Sequence, residues 1–243
     1  IFWRAAKCRF KNVFRTRFKR MKHLAIIPVR GGSKGVPRKN ALEVHQGMSL
    51  LEWSIREAQK SRLKDALLVS TEDAELAQIA ARCGVQVAHR PAELAQDNTT
   101  TAAVVADLLQ EHEADVITIL QATSPLRQAV DIDAALALFE SGEYDSVVSG
   151  CVYNGPHPAK LYMADGRGVR PVAPEFEIAR RQDLPLIYQR NGAIFMVKAA
   201  YFKQTGALWG GNTAMLKMPV ERSVDVDSHA DLEAARKYLE ANG

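Results

Sequence analysis

Two short stretches hold the residue types from which phosphate and metal chemistry is built. Residues 26–40, IIPVRGGSKGVPRKN, pass from an apolar run into a loop with Gly31, Gly32 and Gly35 and the cations Arg30, Lys34, Arg38 and Lys39. Glycines placed directly after a strand let consecutive backbone N–H groups curl into an anion-binding nest, and the four cations would surround it. The loop is not a Walker A, which needs GxxxxGK followed by Ser or Thr, and it lacks the GxGxxG of dinucleotide folds. A solvated basic turn has the same composition, so the loop alone leaves both readings open. Ser33, in such a nest, reads as a hydrogen-bond donor rather than a nucleophile.

Residues 221–231, ERSVDVDSHAD, supply the opposite charge. Asp225 and Asp227 are two apart, and on an extended chain residues i and i+2 point the same way. Adjacent carboxylates repel unless they are protonated or bridged by a cation, and Mg²⁺ usually sits on one or two carboxylates plus substrate phosphates. Alone, this pattern is more often a turn or a helix cap. A phosphate cradle at another strand end is what favours the metal.

Three further stretches gather hydrogen-bonding groups: Arg90 and Pro91 in HRPAELAQDNTTT, Gln121 to Arg127 in QATSPLR, and Arg180, Arg181, Gln182 and Asn191 in RRQDLPLIYQRNGAIF. The last set could hold a carboxylate bidentately. Each alone is more often a capped turn or surface charge. His157 lies between prolines and has no second histidine at metal-ligand spacing, so it reads as a structural or substrate-contacting residue. Spacing argues for no Ser-His-Asp or Cys-His set.

The elements that would position these residues alternate. HLAIIPV is a short apolar run that suits a strand buried on both faces, and SLLEWSIREAQKS has helical spacing. DALLVS, VQVAH, DVITILQ and DSVVSG then read as strands, with helices over residues 73–84, 99–113 and 129–142, two of them stopped by Gly84 and Gly142. Such alternation predicts a parallel sheet with helices on both faces, whose ligands sit at the carboxyl ends of the strands. The alternation lapses over about 151–190, which holds five of the ten prolines and reads as an excursion, lid or arm. Strands resume at 192–197 and 214–220, and a last helix opens with Ser228 and Asp231 in capping-box spacing.

Composition is that of an ordinary globular chain: 243 residues, 47% hydrophobic and 25% charged. The net charge of +4 is placed unevenly, because residues 1–20 carry eight Lys and Arg and no acid; 24 cations then face 28 acids from Met21 onward. We read Met21 as the start of the folded unit and residues 1–20 as a basic extension outside it. A nucleic-acid-binding module acting through that extension is the rival from a different class, and a catalytically dead sugar-nucleotide sensor is a second. Three scattered cysteines without a CxxC pair argue against a disulfide framework or zinc site, which makes a reducing cytoplasm the default. No run approaches the ~18 apolar residues of a membrane span, so no membrane partner is expected; because the excess positive charge lies in residues 1–20, no nucleic-acid partner is expected of the folded unit.

Taken together, IIPVRGGSKGVPRKN, RPAELAQD, LLVSTEDAELAQIA, LQATSPLR, SVVSG, RRQDLP, NGAIF and SVDVDSHADLE resemble the CMP-sialic acid synthetases, the acylneuraminate cytidylyltransferases. The resemblance runs from about Met21 to Leu239, and the deoxyoctulosonate cytidylyltransferases fit less well because their first loop lacks GGSKG. It implies an α/β, three-layer, Rossmann-like nucleotidyltransferase fold with a mixed, mostly parallel sheet and a small dimerisation arm across a homodimer. It implies Mg²⁺-dependent transfer of CMP from CTP to the anomeric hydroxyl of a nonulosonic acid, an N-acylneuraminate first and legionaminic or pseudaminic acid as alternatives. Carried over, Arg30, Gly31, Gly32, Ser33, Lys34 and Lys39 would hold the triphosphate, and Asn40, Arg90, Thr99 and Thr101 the nucleoside. Asp225 and Asp227 would hold the metal and, with Arg30 and Lys39, act in catalysis. Gln121, Arg181, Gln189, Asn191 and Phe195 would face the sugar acid, with Lys160 reaching a partner's site. Phe195 stands where many relatives have Tyr, which bears on acceptor choice.

Overall fold

The computed structural model describes residues 21–33, 35–177 and 180–242; the expectations for residues 1–20 and for Lys34 lie outside the described residues. In chain order the strands and helices are β1 (His23–Pro28), β2 (Glu43–His45), β3 (Met48–Ser49), α1 (Leu50–Gln59), β4 (Leu67–Thr71), α2 (Ala74–Arg82), β5 (Gln86–His89), α3 (Thr101–Glu111), β6 (Val116–Ile119) and α4 (Ala129–Glu140). They continue as β7 (Ser146–Val152), β8 (Tyr162–Asp165), β9 (Gly168–Pro171), β10 (Tyr188–Lys198), α5 (Ala199–Thr205), β11 (Thr213–Lys217) and α6 (His229–Asn242).

One seven-stranded sheet, in the order β11-β7-β10-β6-β1-β4-β5, forms the centre. Its outer pairs are parallel, and β10 runs antiparallel between β6 and β7. The sheet is therefore mixed, as the family resemblance implied and the bare alternation did not. Hydropathy explains the layers. Leu51, Ile55, Ile79, Ile132 and Phe139 from α1, α2 and α4 cover one face, packing on Ala25, Ile27 and Met196. Val104, Val105 and Leu108 of α3 and Phe202 of α5 cover the other, over Ile26, Ile117 and Val197. Each fully buried Leu, Ile or Phe contributes about 1.5–3 kcal/mol, so these two faces hold the strand ends in place.

The stops read from the sequence form: Gly84 and Gly142 take φ of 71° and 80°, a region that glycine enters without strain. The capping box also forms, Ser228 N–H donating to Asp231 Oδ2 at 2.8 Å and Asp231 N–H to Ser228 Oγ at 3.3 Å. The excursion is narrower than read, since β7 runs through Val152 and β10 starts at Tyr188. Between them β8 and β9 pair as a hairpin, leaving Tyr162, Val169 and Leu186 at 55%, 67% and 64% exposure. His157 latches this segment, with Nε2 3.1 Å from Pro185 O, Nδ1 accepting Ala159 N–H, and the ring edge on Phe176. Among the described residues no helix is long and apolar enough to cross a membrane, and the thiols Cys83 and Cys151 are free and buried.

Candidate active site

The glycine loop leaves the carboxyl end of β1 and is pinned at three points. Val36 is fully buried, and Asn40 is buried with Nδ2 donating to Arg30 O at 3.2 Å. Arg38 sits in the left-handed region at φ 57°, a conformation costing a non-glycine residue about 1–2 kcal/mol. Its guanidinium offsets that cost by donating to Asp73 at 2.5 and 3.2 Å and to Glu75, at the start of α2. Arg38 in turn holds the Asp73 carboxyl below the ordinary carboxylate range, helped by the N–H groups of Leu76 and Glu75. Two of the glycines are there because of close approach. An added Cβ would stand 2.3 Å from Asp73 Oδ2 at Gly31 and 2.3 Å from the Asp227 carbonyl oxygen at Gly35, while Gly32 faces open space.

The loop's donors meet acids from three separate elements. Arg30 Nη1 lies 2.6 Å from Asp97 Oδ1, Gly31 N–H donates to Glu72 Oε1 at 2.7 Å, and Lys39 Nζ donates to Asp227 Oδ1 at 2.9 Å and to Val226 O at 2.7 Å. Lys39 is the better buried of its pair, with 15% of its side chain exposed against 78% for Asp227. Such pairs at a cleft mouth contribute little to stability, so their exchange for another anion is cheap. The second oxygen of Glu72, Oε2, and Asn40 Oδ1 are buried without a protein partner.

Two adjoining cavities open over the strand ends. One, of about 210 Å³, lies between Arg30, Asn40, Arg90, Thr99, Thr101 and Gln121; the other, of about 400 Å³, lies over Gly32, Ser33, Gly35 and Asp227. Arg30, Lys39 and Asn40 form the shared wall. Every described residue predicted for the nucleotide except Gly31 lines one of them. Arg90 is anchored by Nη2 donating to Ser70 O at 2.8 Å, and burial pushes its guanidinium pKa down.

The aspartate pair reaches the cleft on an extended segment before α6, outside any strand. Val226 is fully buried and its N–H donates to Thr123 O at 2.8 Å, so Asp225 and Asp227 on either side are exposed. Asp227 turns toward Lys39, and Asp225 toward Thr123, Gln121 and Gly192. Asp225 is solvent-accessible, but the cleft walls still desolvate its carboxyl and raise its pKa; Asp227 adds to the rise, while a hydrogen bond with Thr123 and the charge of Lys39 oppose it. Among the described residues no group of three or more His, Cys, Asp or Glu is gathered to hold a metal alone, so Asp225 and Asp227 would hold a hard divalent cation only together with substrate phosphate oxygens.

The residues predicted for the sugar acid do not all converge. Gln121 lines the cleft, and a Cβ on Gly192 would stand 2.5 Å from its Oε1 and 3.5 Å from Asp225 Oδ2. Phe195 packs at 5.5 Å from the Trp209 ring, a partner the sequence reading missed. Asn191 corrects the expectation. It is buried, with Oδ1 accepting Ser149 Oγ–H at 2.6 Å and Nδ2 donating to Ser223 Oγ at 2.9 Å, so its amide holds the β10 bulge and no longer faces the cleft. Gln189 is exposed with Nε2 3.6 Å from Cys151 Sγ, and Lys160 and Arg181 are exposed on the excursion and line neither cavity. Fully buried Arg127, the last residue of QATSPLR, donates to Gln121 O at 2.9 Å and Ala193 O at 3.0 Å and also bonds Ser54, so it ties the end of β6 to β10 and does not face the cleft. Burial lowers its pKa to about 10.

The chain is 30% identical over 218 residues to "Post-translational flagellin modification protein B" of Campylobacter coli, covering 86% of this chain and 92% of that protein. It is 32% identical to "N-acylneuraminate cytidylyltransferase A" of Danio rerio over 88% of this chain and 50% of that one, and 30% identical to the Escherichia coli O18:K1:H7 N-acylneuraminate cytidylyltransferase over 89% and 52%. The chain thus spans about half the length of those two relatives. Among solved structures, a CMP:2-keto-3-deoxy-manno-octonic acid synthetase complexed with CTP superposes with a TM-score of 0.70 at 16% identity, covering 91% of this chain and all of that one. A 4-diphosphocytidyl-2C-methyl-D-erythritol synthase superposes at 0.63 and 15%, covering 90% and 99%. These two show a shared fold. The cytidylyltransferase profile matches residues 24–239, which spans the glycine loop, both cavities and the aspartate pair. The chain belongs to the cytidylyltransferase family.

Proposed function

We propose that the protein transfers CMP from CTP to the anomeric hydroxyl of a nine-carbon 2-keto sugar acid, an N-acylneuraminate, with release of pyrophosphate. The observation that carries this reading is the meeting of Lys39 from the glycine loop with Asp227 from the aspartate pair, 2.9 Å apart across the mouth of two joined cavities. On that reading Arg30, Gly32, Ser33 and Lys39 take the triphosphate, displacing Asp97 and Asp227 from the cations. Asn40, Arg90, Thr99 and Thr101 take the nucleoside, and Gln121 and the Gly192 backbone face the acid. The acceptor hydroxyl oxygen attacks the α-phosphorus, the bond from that phosphorus to the bridging oxygen breaks, and its electron pair leaves with pyrophosphate while the hydroxyl proton passes to solvent. Phosphoryl transfer needs mainly in-line positioning and neutralised charge, which Arg30 and Lys39 supply on the leaving side. Asp225 and Asp227 would hold Mg²⁺, whose role when bound is to neutralise phosphate oxygens.

Legionaminic and pseudaminic acids are the alternative acceptors, because Phe195 offers a ring without a hydroxyl beside the sugar. The exposed apolar residues of the excursion, Tyr162, Val169 and Leu186, support its reading as a homodimer arm. Buried free thiols suit a reducing cytoplasm. Pyrophosphate release with CTP, Mg²⁺ and a panel of nonulosonic acids, with ATP, GTP and UTP as controls, tests the assignment. Release that requires CTP and one of the acids is expected, and absence of release with every acid refutes it.

A further inference from the structure

The segment that leaves β6 borders more than the cleft. Gln121, Ala122 and Thr123 line the cavity beside Arg30 and Asn40, and Pro125 to Ala129, just after them, line a third cavity of about 590 Å³. The β2–β3 hairpin, α1 and the end of α6 close its other sides, and none of them carries a residue expected to meet CTP or the acid. Small-molecule sites span about 300–1,000 Å³, so this cavity has room for an organic ligand and far more than one water needs. Met48, Trp53, Leu126 and Tyr238 supply apolar wall, and Val130 stands on the rim at 66% exposure.

Two polar atoms on this wall lack a partner in the protein. Arg127 Nε and His45 Nε2 are both buried and unbonded, while the other nitrogens of Arg127 serve Gln121, Ala193 and Ser54. The His45 ring rests edge-on against Trp53 at 5.3 Å, and Trp53 Nε1 in turn donates to Pro125 O at 2.8 Å. Charge on the wall is also uneven. Arg56 pairs with Glu52 and Lys60 with Glu57, and these cancel. Among the described residues Arg127 makes no ion pair, because the two acids whose charge reaches it are bonded elsewhere, Asp131 to Arg222 and the Gln128 N–H, Glu57 to Lys60 and the Ala129 N–H. With a pKa of about 10 its guanidinium is charged at neutral pH. The wall therefore keeps one uncompensated positive charge away from water, where attraction for an anion is strongest.

We propose that this cavity is a second ligand site, and that it takes a small organic carboxylate with an apolar or aromatic body. One excess charge calls for a monoanion rather than a phosphate dianion, and the Trp53, Leu126 and Val130 surface calls for an apolar body. The carboxylate needs no direct bond to Arg127 Nε, because the field of a desolvated guanidinium extends beyond hydrogen-bond range. Arg56 and Lys60 on the rim each have N–H donors beyond those given to their acids, and these can meet it directly. The proposal stands apart from the functional reading above, since it needs neither CTP nor the acceptor acid.

The test titrates phenylacetate into the full chain and follows the tryptophan indole N–H signals by NMR, with Trp53→Phe assigning the Trp53 signal. A saturable shift of that signal is expected while the Trp209 signal stays in place. Phenylacetamide, which has the same body without the charge, should bind about tenfold or more weakly. Val130 is exposed in the first turn of α4, a position that accepts an acid, so Val130→Glu should fold and weaken phenylacetate by a similar factor, whereas Val130→Lys should not weaken it. An unmoved Trp53 signal overturns the proposal, as does equal binding of the amide or binding that survives Val130→Glu. Tighter binding of phenyl phosphate than of phenylacetate overturns the carboxylate assignment, and binding lost in Lys39→Gln would place the anion at the glycine loop instead.

Discussion

Replacing Gly192 by alanine separates backbone strain from disturbance of the acceptor site. Gly192 has φ 77°, where an L-residue costs about 1–2 kcal/mol, and the new Cβ would stand 2.5 Å from Gln121 Oε1. Because that atom is the end of a flexible side chain, Gln121 swings away rather than the strand moving. The strain lowers Tm by about 2–4 °C per kcal/mol for a chain of this size, so a fall of about 2–8 °C is expected. Gly47→Ala provides the control, since Gly47 has φ 75° with nothing within 4 Å of an added Cβ. Both variants should melt at similar, lowered temperatures by circular dichroism. Only Gly192→Ala should raise the KM for the acid, with the CTP KM unchanged in both. If Gly192→Ala keeps the wild-type acceptor KM, or if Gly47→Ala raises it equally, then Gln121 does not face the acid at this point of β10.

Three further expectations concern the supports of the cleft. Gly35→Ala sets a Cβ 2.3 Å from the Asp227 backbone carbonyl, which cannot swing aside, so the loop must shift and the CTP KM should rise while the acceptor KM does not. Arg127→Met leaves the buried Ala193 carbonyl without this donor and the Gln121 carbonyl with only Ser124 N–H at 3.3 Å, and urea unfolding should show a loss of about 1–3 kcal/mol; an unchanged stability would remove Arg127 from the account. Asp73→Ala removes both the cap of α2 and the tie to Arg38, costing about 1–2 kcal/mol at neutral pH. Since the folded-state pKa of Asp73 is depressed, its ionised form contributes fully above the unfolded value near 4 and that contribution is lost as pH falls through the lowered value. The gap between wild type and variant should therefore narrow at acid pH, by the part owed to charge.

Much of this was legible in residue order because short apolar runs and glycine stops mark strands and helices locally. The glycine loop, the Ser228–Asp231 cap and the alternation of exposed Asp225 and Asp227 about buried Val226 were all local signals of that kind. Strand direction is not one. The run at 192–197 is equally apolar whether it lies parallel or antiparallel, so only the assembled sheet shows β10 reversed between β6 and β7. Helix α5 and the β8–β9 hairpin were missed because one is a seven-residue segment without a long period and the other keeps its residues exposed on both faces. The acids facing the loop, Glu72 and Asp97, lie 41 and 67 residues from their partners, a pairing that spacing cannot give. Asn191 was misplaced for the opposite reason: an asparagine next to a strand-end glycine reads as a ligand contact, but burial obliges its amide to be satisfied within the protein.

The central claim is that the glycine loop, the aspartate pair and the Gln121–Gly192 corner act on one CTP and one acid together. Phosphorus NMR of a single reaction containing CTP, Mg²⁺ and a nonulosonic acid addresses it directly. The account predicts one new phosphodiester resonance, equal in amount to the pyrophosphate formed, absent without the acid and lost in Asp227→Asn. Free CMP formed at the same rate with or without the acid, or an undiminished diester signal from Asp227→Asn, would contradict it.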